Sequence, residues 1–221
     1  MVNILLEGYD IDAPWLYGEL KHYIKPYHKV AIVAFSFRDS CVRSQIDWDA
    51  LYSRKRGKYY PFMVSGFTAY GIPEGNITFV NYFADTKASA AEKIRTADII
   101  FFPGGLPDRM FERIREFGLY DLLKEHRGIV MGFSAGAVIQ LAEYHLSPDD
   151  DYPTFAYFEG LPYLSGFYLE VHYEGSDVQN ASICRVLLER GMPVYATVFG
   201  AGAIIVDNGE IKLLGNVITF E

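Results

Sequence analysis

The sequence has few cysteines, an excess of acidic over basic residues, and no long hydrophobic run. Its two cysteines, Cys41 and Cys184, form neither a disulfide framework nor a metal-ligand spacing, and both are interpreted as small buried hydrophobic residues. No apolar stretch reaches the roughly 18 residues that a membrane-spanning helix needs. Residues 1–7 lack the basic start and the long apolar core of a secretory signal. These absences predict a cytoplasmic protein with no membrane partner.

The charge balance excludes a further class of partners. The chain of 221 residues carries 20 lysines and arginines against 28 acidic residues, for a formal net charge of −8. Nucleic acids and anionic membrane surfaces require clustered basic residues, so neither is expected as a partner. Hydrophobic residues make up 50% of the sequence, which excludes disorder and provides for a full core. The length predicts one domain spanning residues 1–221.

Short β-branched runs alternate with longer amphipathic segments. Strands are predicted over residues 29–36, 77–83, 98–102, 128–133 and 167–173. Helices are predicted over residues 88–96, 107–126, 134–145 and 177–190. This alternation is typical of a three-layer α/β/α sandwich, with helices on both faces of a mostly parallel sheet.

Two segments depart from that alternation. Apolar runs at 203–206 and 211–214 flank Asn208 and Gly209, a pair that fits a type I′ turn, so an antiparallel hairpin is predicted at the C-terminal edge of the sheet. Residues 39–71 are aromatic and poorly periodic, and they are interpreted as a helix plus an excursion over the sheet. The tyrosines and phenylalanines at 52–70 are candidates to cover a site or to form a homodimer contact, although ordinary core packing is the preferred explanation.

The segment Gly132-Phe133-Ser134-Ala135-Gly136 fits the pattern G-x-S-x-G between a predicted strand and a predicted helix. This context is that of a nucleophile elbow, in which a serine occupies a strained turn and glycines allow close approach of its neighbours. The turn lies at the carboxyl end of a strand, where open α/β sheets build their sites. Ser134 is therefore the candidate nucleophile. The alternative is a tight structural turn in which Ser134 caps the helix.

A serine nucleophile needs a base, and the chain has five histidines. Four are expected to lie too far from Ser134: His22, His28, His126 and His145. The first three flank the amino ends of strands, and His145 is placed about 16 Å away along the same predicted helix. His172, near the end of the strand 167–173, is the remaining candidate, although a lone histidine on a strand is usually structural.

The serine reaction also needs an oxyanion hole of two donors. The amide of Ala135, directly after the candidate nucleophile, is one expected donor. The second is expected in the loop after the strand 98–102, where Gly105 would let the backbone approach a ligand closely. A simple tight turn explains this loop equally well on local grounds.

The segments IIFFPGG, GFSAGA and EVHY, in this order and spacing, resemble the alpha-aspartyl dipeptidase (peptidase E) and cyanophycinase family of serine peptidases. The resemblance covers residues 77–221 well and the first third more loosely. It implies a class I glutamine amidotransferase-like, flavodoxin-like fold. It also implies Ser134 as nucleophile, His172 as base, Gly105 and Ala135 as oxyanion donors, and cleavage beside aspartyl residues. Serine in place of the cysteine of a true glutaminase means that the fold, and not the amidotransferase activity, is shared.

Two positions depart from the family pattern. Gly200 occupies the position where relatives carry the third triad residue, a carboxylate, and Leu106 replaces a polar residue after the glycine pair. The acid is therefore missing or comes from elsewhere. Glu170 is the first candidate, because it lies two residues before His172 and leaves the same face of a strand. Further candidates are three acids after the elbow's helix (Asp149, Asp150 and Asp151), and weaker ones follow His172 (Glu174 and Asp177).

The sequence thus predicts a serine hydrolase that cleaves a small peptide through an acyl-enzyme at Ser134. Candidate substrate contacts are Gly104, Leu106, Arg109 and Asp150, with Arg38 and Arg43 as further candidates to hold an aspartate carboxylate. No metal and no organic cofactor is implied. Two alternatives stay open: a catalytically silent binding protein, motivated by Gly200, and an esterase or amidase that acts on a non-peptide substrate.

Overall fold

Strands from both ends of the chain meet in one central sheet. The computed structural model describes all 221 residues. Its strands are β1 (Val2–Leu6), β2 (Val30–Val33), β3 (Ile77–Val80), β4 (Ile99–Phe102), β5 (Ile129–Phe133), β6 (Glu143–Leu146), β7 (Ala156–Glu159), β8 (Tyr168–Tyr173), β9 (Val194–Asp207) and β10 (Glu210–Phe220). Eight of them form a sheet in the order β10-β9-β1-β5-β4-β2-β3, with β8 also paired to β9, and β6 pairs with β7 separately.

Helices cover both faces of this sheet. They are α1 (Pro14–Leu20), α2 (Gln45–Tyr52), α3 (Tyr60–Ala69), α4 (Lys87–Arg95), α5 (Pro107–Glu116), α6 (Tyr120–Lys124), α7 (Ala135–Val138) and α8 (Asp177–Arg190). Local sequence sets several of their ends. Thr86 and Ser89 form a capping box at α4, and α8 runs from its cap Ser176 to Gly191 in the left-handed conformation. No helix combines the length and the apolar character needed to cross a membrane.

The parallel part of the sheet is buried on both faces. In β2, Val30 and Ile32 pack into a cluster of 26 buried residues, whereas Ala31 and Val33 pack into a second cluster of 17 on the other face. This alternation follows from the two-residue repeat of a strand, and the unbroken apolar run follows from helices on both sides. The predicted α/β class, with antiparallel strands at the C-terminal edge, is confirmed.

Five strands run parallel and therefore end at the same edge of the sheet. β1 pairs with β5, β5 with β4, β4 with β2, and β2 with β3, all in parallel register. Their carboxyl ends lead into the segments that follow β1, β2, β4 and β5 (Glu7–Tyr9, Ala34–Arg38, Pro103–Leu106 and Ser134). This edge is where sites of open α/β sheets form.

Several local predictions need correction. The predicted helix over 134–145 ends at Val138, and residues 143–146 form β6 instead. The predicted helix over 107–126 is two helices, separated at Gly118, whose φ of 68° no regular helix accommodates. The N-terminal strand β1 was not predicted. Cys41 and Cys184 are exposed and not buried, since Cys41 lies in a loop after β2 and Cys184 faces solvent on α8.

Candidate active site

Ser134 occupies a sharp turn between β5 and α7. Its φ of 53° and ψ of −120° lie outside the conformations that non-glycine residues ordinarily adopt. The flanking glycines are required by close packing: a Cβ on Gly136 would lie 1.9 Å from the carbonyl oxygen of Phe102, and one on Gly132 would lie 2.4 Å from that of Gly136. The Ser134 amide donates to the carbonyl of Leu6 at 3.1 Å, which ties the turn to β1. The geometry is that of a nucleophile elbow.

His172 lies beside this turn near the end of β8. Its Nε2 is 2.7 Å from the Ser134 hydroxyl oxygen, and its side chain is 43% exposed, so the pair is open to a ligand. His172 has a φ of 54°, at an irregularity in the pairing of β8 with β9. Ser134 and His172 are two of the three non-glycine residues with positive φ, and the third, Asn208, is in the β9–β10 turn. Backbone strain of this kind concentrates at functional sites.

The buried carboxylate of Glu7 holds His172. Its Oε1 is 2.5 Å from His172 Nδ1, and its Oε2 accepts the His172 backbone N–H at 2.9 Å and the Thr197 hydroxyl at 3.1 Å. Glu7 is 4% exposed, so these donors replace the water that a carboxylate would otherwise keep. A carboxylate only accepts, so His172 carries its proton on Nδ1 and leaves Nε2 free to accept from Ser134.

Glu7 also sets the basicity of the imidazole. Its hydrogen bond raises the pKa of His172 above the usual value of 6.5, and this effect outweighs the opposite effect of burial. The contact therefore favours the imidazolium that forms when His172 takes a proton.

The prediction that Glu170 orients His172 is wrong. The Glu170 Oε2 accepts the Ser147 hydroxyl at 2.8 Å and lies 2.7 Å from His145 Nε2, in a buried cluster of its own. The register shift in β8 after Glu170 breaks the alternation on which the prediction rested. His145 itself lies on β6 and not on the elbow's helix, and it is fully buried against Glu170.

The loop acids do not reach His172 either. Asp149 accepts the amides of Asp151 and Tyr152, which closes the loop on itself, and Asp151 pairs with Arg38. Gly200 lines the site without an acid, as the sequence indicated.

Glu7 was not predicted as a site residue because β1 was not predicted as a strand. The signal was present, since the apolar run Ile4–Leu6 is followed directly by an acid at the end of the strand.

Two backbone amides, in the elbow and in the glycine loop, have no protein acceptor. Neither the Ala135 nor the Gly105 N–H donates a hydrogen bond within the chain. Ala135 begins α7, where the first amides have no helical acceptor. Gly105 has a φ of 137°, and a Cβ there would lie 2.3 Å from the Ser36 carbonyl oxygen. Ser36 fixes this loop by donating to the Gly104 carbonyl at 2.6 Å and accepting from the Leu106 amide at 2.8 Å.

A cavity of about 590 Å³ opens at these residues. Of the predicted site residues, it is lined by Gly104, Gly105, Ser134 and His172. It is not lined by Leu106, Arg109 or Asp150. The Leu106 amide is engaged by Ser36, Arg109 is exposed and pairs with Glu112 at 2.7 Å, and Asp150 lies in the exposed loop.

The cavity offers no unpaired cation. Arg38 lines it, but its Nε and Nη2 both donate to the Asp151 carboxylate. Arg43 donates to the Asp39 carbonyl at 3.3 Å and does not line the cavity. No group of three or more histidine, cysteine, aspartate or glutamate side chains is arranged to hold a metal ion.

Comparison with known proteins agrees with this geometry. The profile of Peptidase family S51 matches residues 50–214, which is most of the chain. No curated protein is a significant match. A candidate peptidase E protein from Listeria monocytogenes EGD-e superposes with a TM-score of 0.67 at 15% identity, covering 97% of this chain and 98% of that one. A peptidase from an acI-B1 Actinobacterium superposes with a TM-score of 0.64 at 15% identity, over 97% of this chain and 87% of that one. The chain belongs to peptidase family S51 and is a serine-type peptidase.

Proposed function

We propose that this peptidase hydrolyses small peptides through an acyl-enzyme at Ser134, with His172 as general base and Glu7 as the residue that positions His172. The observation that carries the proposal is the continuous hydrogen-bonded chain from Glu7 through His172 to Ser134 at the carboxyl edge of the sheet. A nucleophile, a base within hydrogen-bond reach and a third group that orients the base are the parts that acyl transfer requires.

The reaction proceeds by two proton-balanced steps. The Ser134 oxygen attacks the peptide carbonyl while His172 Nε2 takes the hydroxyl proton, and the resulting imidazolium gives that proton to the leaving amine as the C–N bond breaks. Water then attacks the acyl-enzyme, with His172 again taking a proton and returning it to Ser134. Glu7 keeps its contact with His172 Nδ1 in both steps and stabilises the imidazolium.

The amides of Gly105 and Ala135 are assigned to the oxyanion. Both are free of other acceptors and both border the elbow, so they meet the developing charge without first giving up a hydrogen bond. Donors fixed in place in this way usually contribute the largest single part of such catalysis.

Labelling of the whole protein with a fluorophosphonate tests the proposal. An adduct on Ser134, read by mass spectrometry, is expected in the wild type, absent in Ser134→Ala and strongly slowed in His172→Ala. Folded wild-type protein that forms no adduct would contradict an activated serine and would favour the binding-protein alternative. Glu7 supplies the acid whose absence at Gly200 motivated that alternative, so we do not favour it.

The choice of substrate separates the remaining alternatives. The resemblance to peptidase E implies aspartyl dipeptides, and an esterase or amidase would instead turn over activated esters and no peptide. We therefore propose to measure turnover of aspartyl dipeptides, of matched dipeptides with other side chains and of an activated ester side by side.

A further inference from the structure

The cavity leads from Ser134 to three tyrosines. Tyr9, Tyr52 and Tyr59 all line it, and the Tyr52 and Tyr59 ring centroids lie 6.0 Å apart. Tyr9 packs against Phe133, the residue before the nucleophile, with ring centroids 3.7 Å apart. The aromatic walls are therefore continuous with the proposed catalytic serine.

None of these three phenolic hydroxyls makes a hydrogen bond within the chain. Two tyrosines outside the cavity differ, since Tyr60 donates to Glu74 at 2.7 Å and Tyr152 donates to Asp108 at 2.5 Å. Burial raises the pKa of both Tyr9 and Tyr52 well above the usual range, so their hydroxyls stay neutral and can donate as well as accept. The cavity thus combines apolar walls with three hydroxyl groups that are free for a ligand.

A carboxylate is poorly matched to this surface. Arg38, the cavity's one cation apart from His172, is bound by Asp151, and the buried Glu7 carboxylate lies at the same cavity. An ionised side chain that enters without a partner of opposite charge loses its hydration with little return. An aromatic ring that carries a neutral hydroxyl loses less hydration energy, because the ring is apolar and the hydroxyl forms hydrogen bonds within the cavity.

The positions of the two cavities around His172 assign this one to the acyl side. Ser134 and Gly105 line only the aromatic cavity, whereas His172 lines both it and a second cavity of about 360 Å³ that includes Glu174 and Gln179. In the proposed reaction Ser134 attacks the carbonyl carbon while the Gly105 amide meets the carbonyl oxygen, so the attacked carbonyl lies at the aromatic cavity. The side chain of the residue whose carbonyl is attacked then enters the aromatic cavity.

We infer that the aromatic cavity binds a tyrosine side chain on the acyl side of the scissile bond, with its phenolic tip at the hydroxyls of Tyr9, Tyr52 and Tyr59. This inference rests on the proposed function of Ser134 and names its substrate class. Phenylalanine fills the same walls but leaves the three hydroxyls without a partner, and sites built to bond a hydroxyl discriminate strongly against such analogues.

Binding to the Ser134→Ala variant tests the inference without requiring turnover. Calorimetric titration with N-acetyl-tyrosinamide, N-acetyl-phenylalaninamide and the N-acetyl amide of aspartate is expected to rank tyrosine first, about tenfold above phenylalanine, with aspartate weakest. Adding Tyr59→Phe is expected to reduce the preference for tyrosine over phenylalanine and to keep both above aspartate. Tyr60→Phe is the matched control, because this hydroxyl bonds Glu74 outside the cavity, and its ranking is expected to stay unchanged.

Kinetics on the wild type then separate the two proposals. With Tyr-Gly, Phe-Gly and Asp-Gly as substrates, the ratio of kcat/KM values is expected to follow the binding order. The cavity assignment would be overturned if aspartate ranked above tyrosine, or if the preference for tyrosine were unchanged in Tyr59→Phe. In either case, fluorophosphonate labelling of Ser134 would still support the mechanism. Absent labelling together with the expected binding order would overturn the mechanism and leave the assignment of the cavity standing.

Discussion

The carboxylate that holds His172 comes from an unexpected strand. The resemblance to peptidase E implies an acid at the position of Gly200 on β9, whereas Glu7 at the end of the neighbouring β1 reaches His172. The two strands are antiparallel neighbours, and the Glu7 amide donates to the Gly202 carbonyl at 3.0 Å, so both positions lie at the same edge. The role needs a carboxylate at one point in space, and the strand that supplies it is free to differ.

Substituting Glu7 tests this assignment at the scale of one residue. Glu7→Gln keeps the shape but removes the charge, so His172 loses both its fixed tautomer and the stabilisation of its imidazolium. We expect the rate of fluorophosphonate labelling and kcat/KM to fall by about 10³- to 10⁴-fold. Labelling kinetics measure the loss of serine reactivity. A circular dichroism melt of the same variant measures any loss of fold.

Glu170→Gln is the matched control for that experiment. Both glutamates are buried and both bond a histidine, but Glu170 contacts His145 and not His172. Its substitution is expected to lower stability and leave the labelling rate within a few-fold of the wild type. If Glu170→Gln impaired labelling as much as Glu7→Gln, with both variants folded, Glu7 would not be the positioning residue.

The pH dependence of labelling follows from the pKa of His172. The base works only when neutral, and the Glu7 hydrogen bond raises its pKa, so the labelling rate is expected to rise with pH and to reach half its maximum above pH 6.5. In Glu7→Gln this midpoint should move to lower pH, because the favourable contact of the charged form is lost. If the pH at half-maximal labelling were the same in the two proteins, the titration would belong to a group other than His172.

At the scale of elements, the sequence is most informative where local chemistry decides the structure. The elbow at 132–136 and the glycine loop at 103–105 were predicted because only glycine tolerates their close contacts. The helix beyond Val138 was predicted wrongly, because the apolar run there continues a helical pattern while residues 143–146 pair with β7. Burial against neighbouring elements overrides local preference in such a segment.

The loop that carries Gly105 is held by elements far from it in sequence. Arg113 on α5 is 5% exposed, and its guanidinium lies 3.7 Å from the Phe37 ring centroid. It donates to the carbonyls of Phe35 and Phe37, which bracket Ser36. Ser36 in turn bonds the glycine loop on both sides of Gly105. The proposed oxyanion donor is therefore fixed by the segment after β2 and by α5, as well as by its own turn.

Gly105→Ala tests the loop as an element. A Cβ would lie 2.3 Å from the Ser36 carbonyl oxygen at a φ of 137°, so the loop has to shift and move its amide away from the oxyanion. We expect a loss of about 1–3 kcal/mol in the free energy of unfolding. We also expect labelling to slow about 10²-fold, as for loss of one oxyanion donor. Denaturant unfolding and labelling kinetics measure the two effects.

Gly18→Ala is the control for the chemistry of that substitution. Gly18 is exposed within α1 and nothing lies within 4 Å of a Cβ there, so alanine is expected to stabilise the helix by about 0.5–1 kcal/mol. Its labelling rate should equal that of the wild type. A Gly105→Ala protein that labelled at the wild-type rate would remove Gly105 from the oxyanion hole.

At the scale of the whole molecule, the site is assembled from distant parts of one sheet. Glu7 and His172 lie 165 residues apart in sequence, and Ser134 lies 38 residues from His172. Sequence order gave no indication that the end of β1 reaches the end of β8, because that contact depends on how β9 joins the two strands. β9 pairs in parallel with β8 over one half and antiparallel with β1 over the other.

This arrangement predicts that the candidate active site and the central sheet unfold together. The strands that carry Glu7, Ser134 and His172 are linked without a gap, through β5–β1, β1–β9 and β9–β8 pairing, so no proposed catalytic residue belongs to a separable part of the fold. In a urea titration, brief fluorophosphonate labelling of Ser134 and the far-ultraviolet circular dichroism signal should therefore share one midpoint. Labelling that disappeared at a lower urea concentration while the sheet signal persisted would show instead that β8 detaches first, and that His172 is carried by an independently unfolding edge.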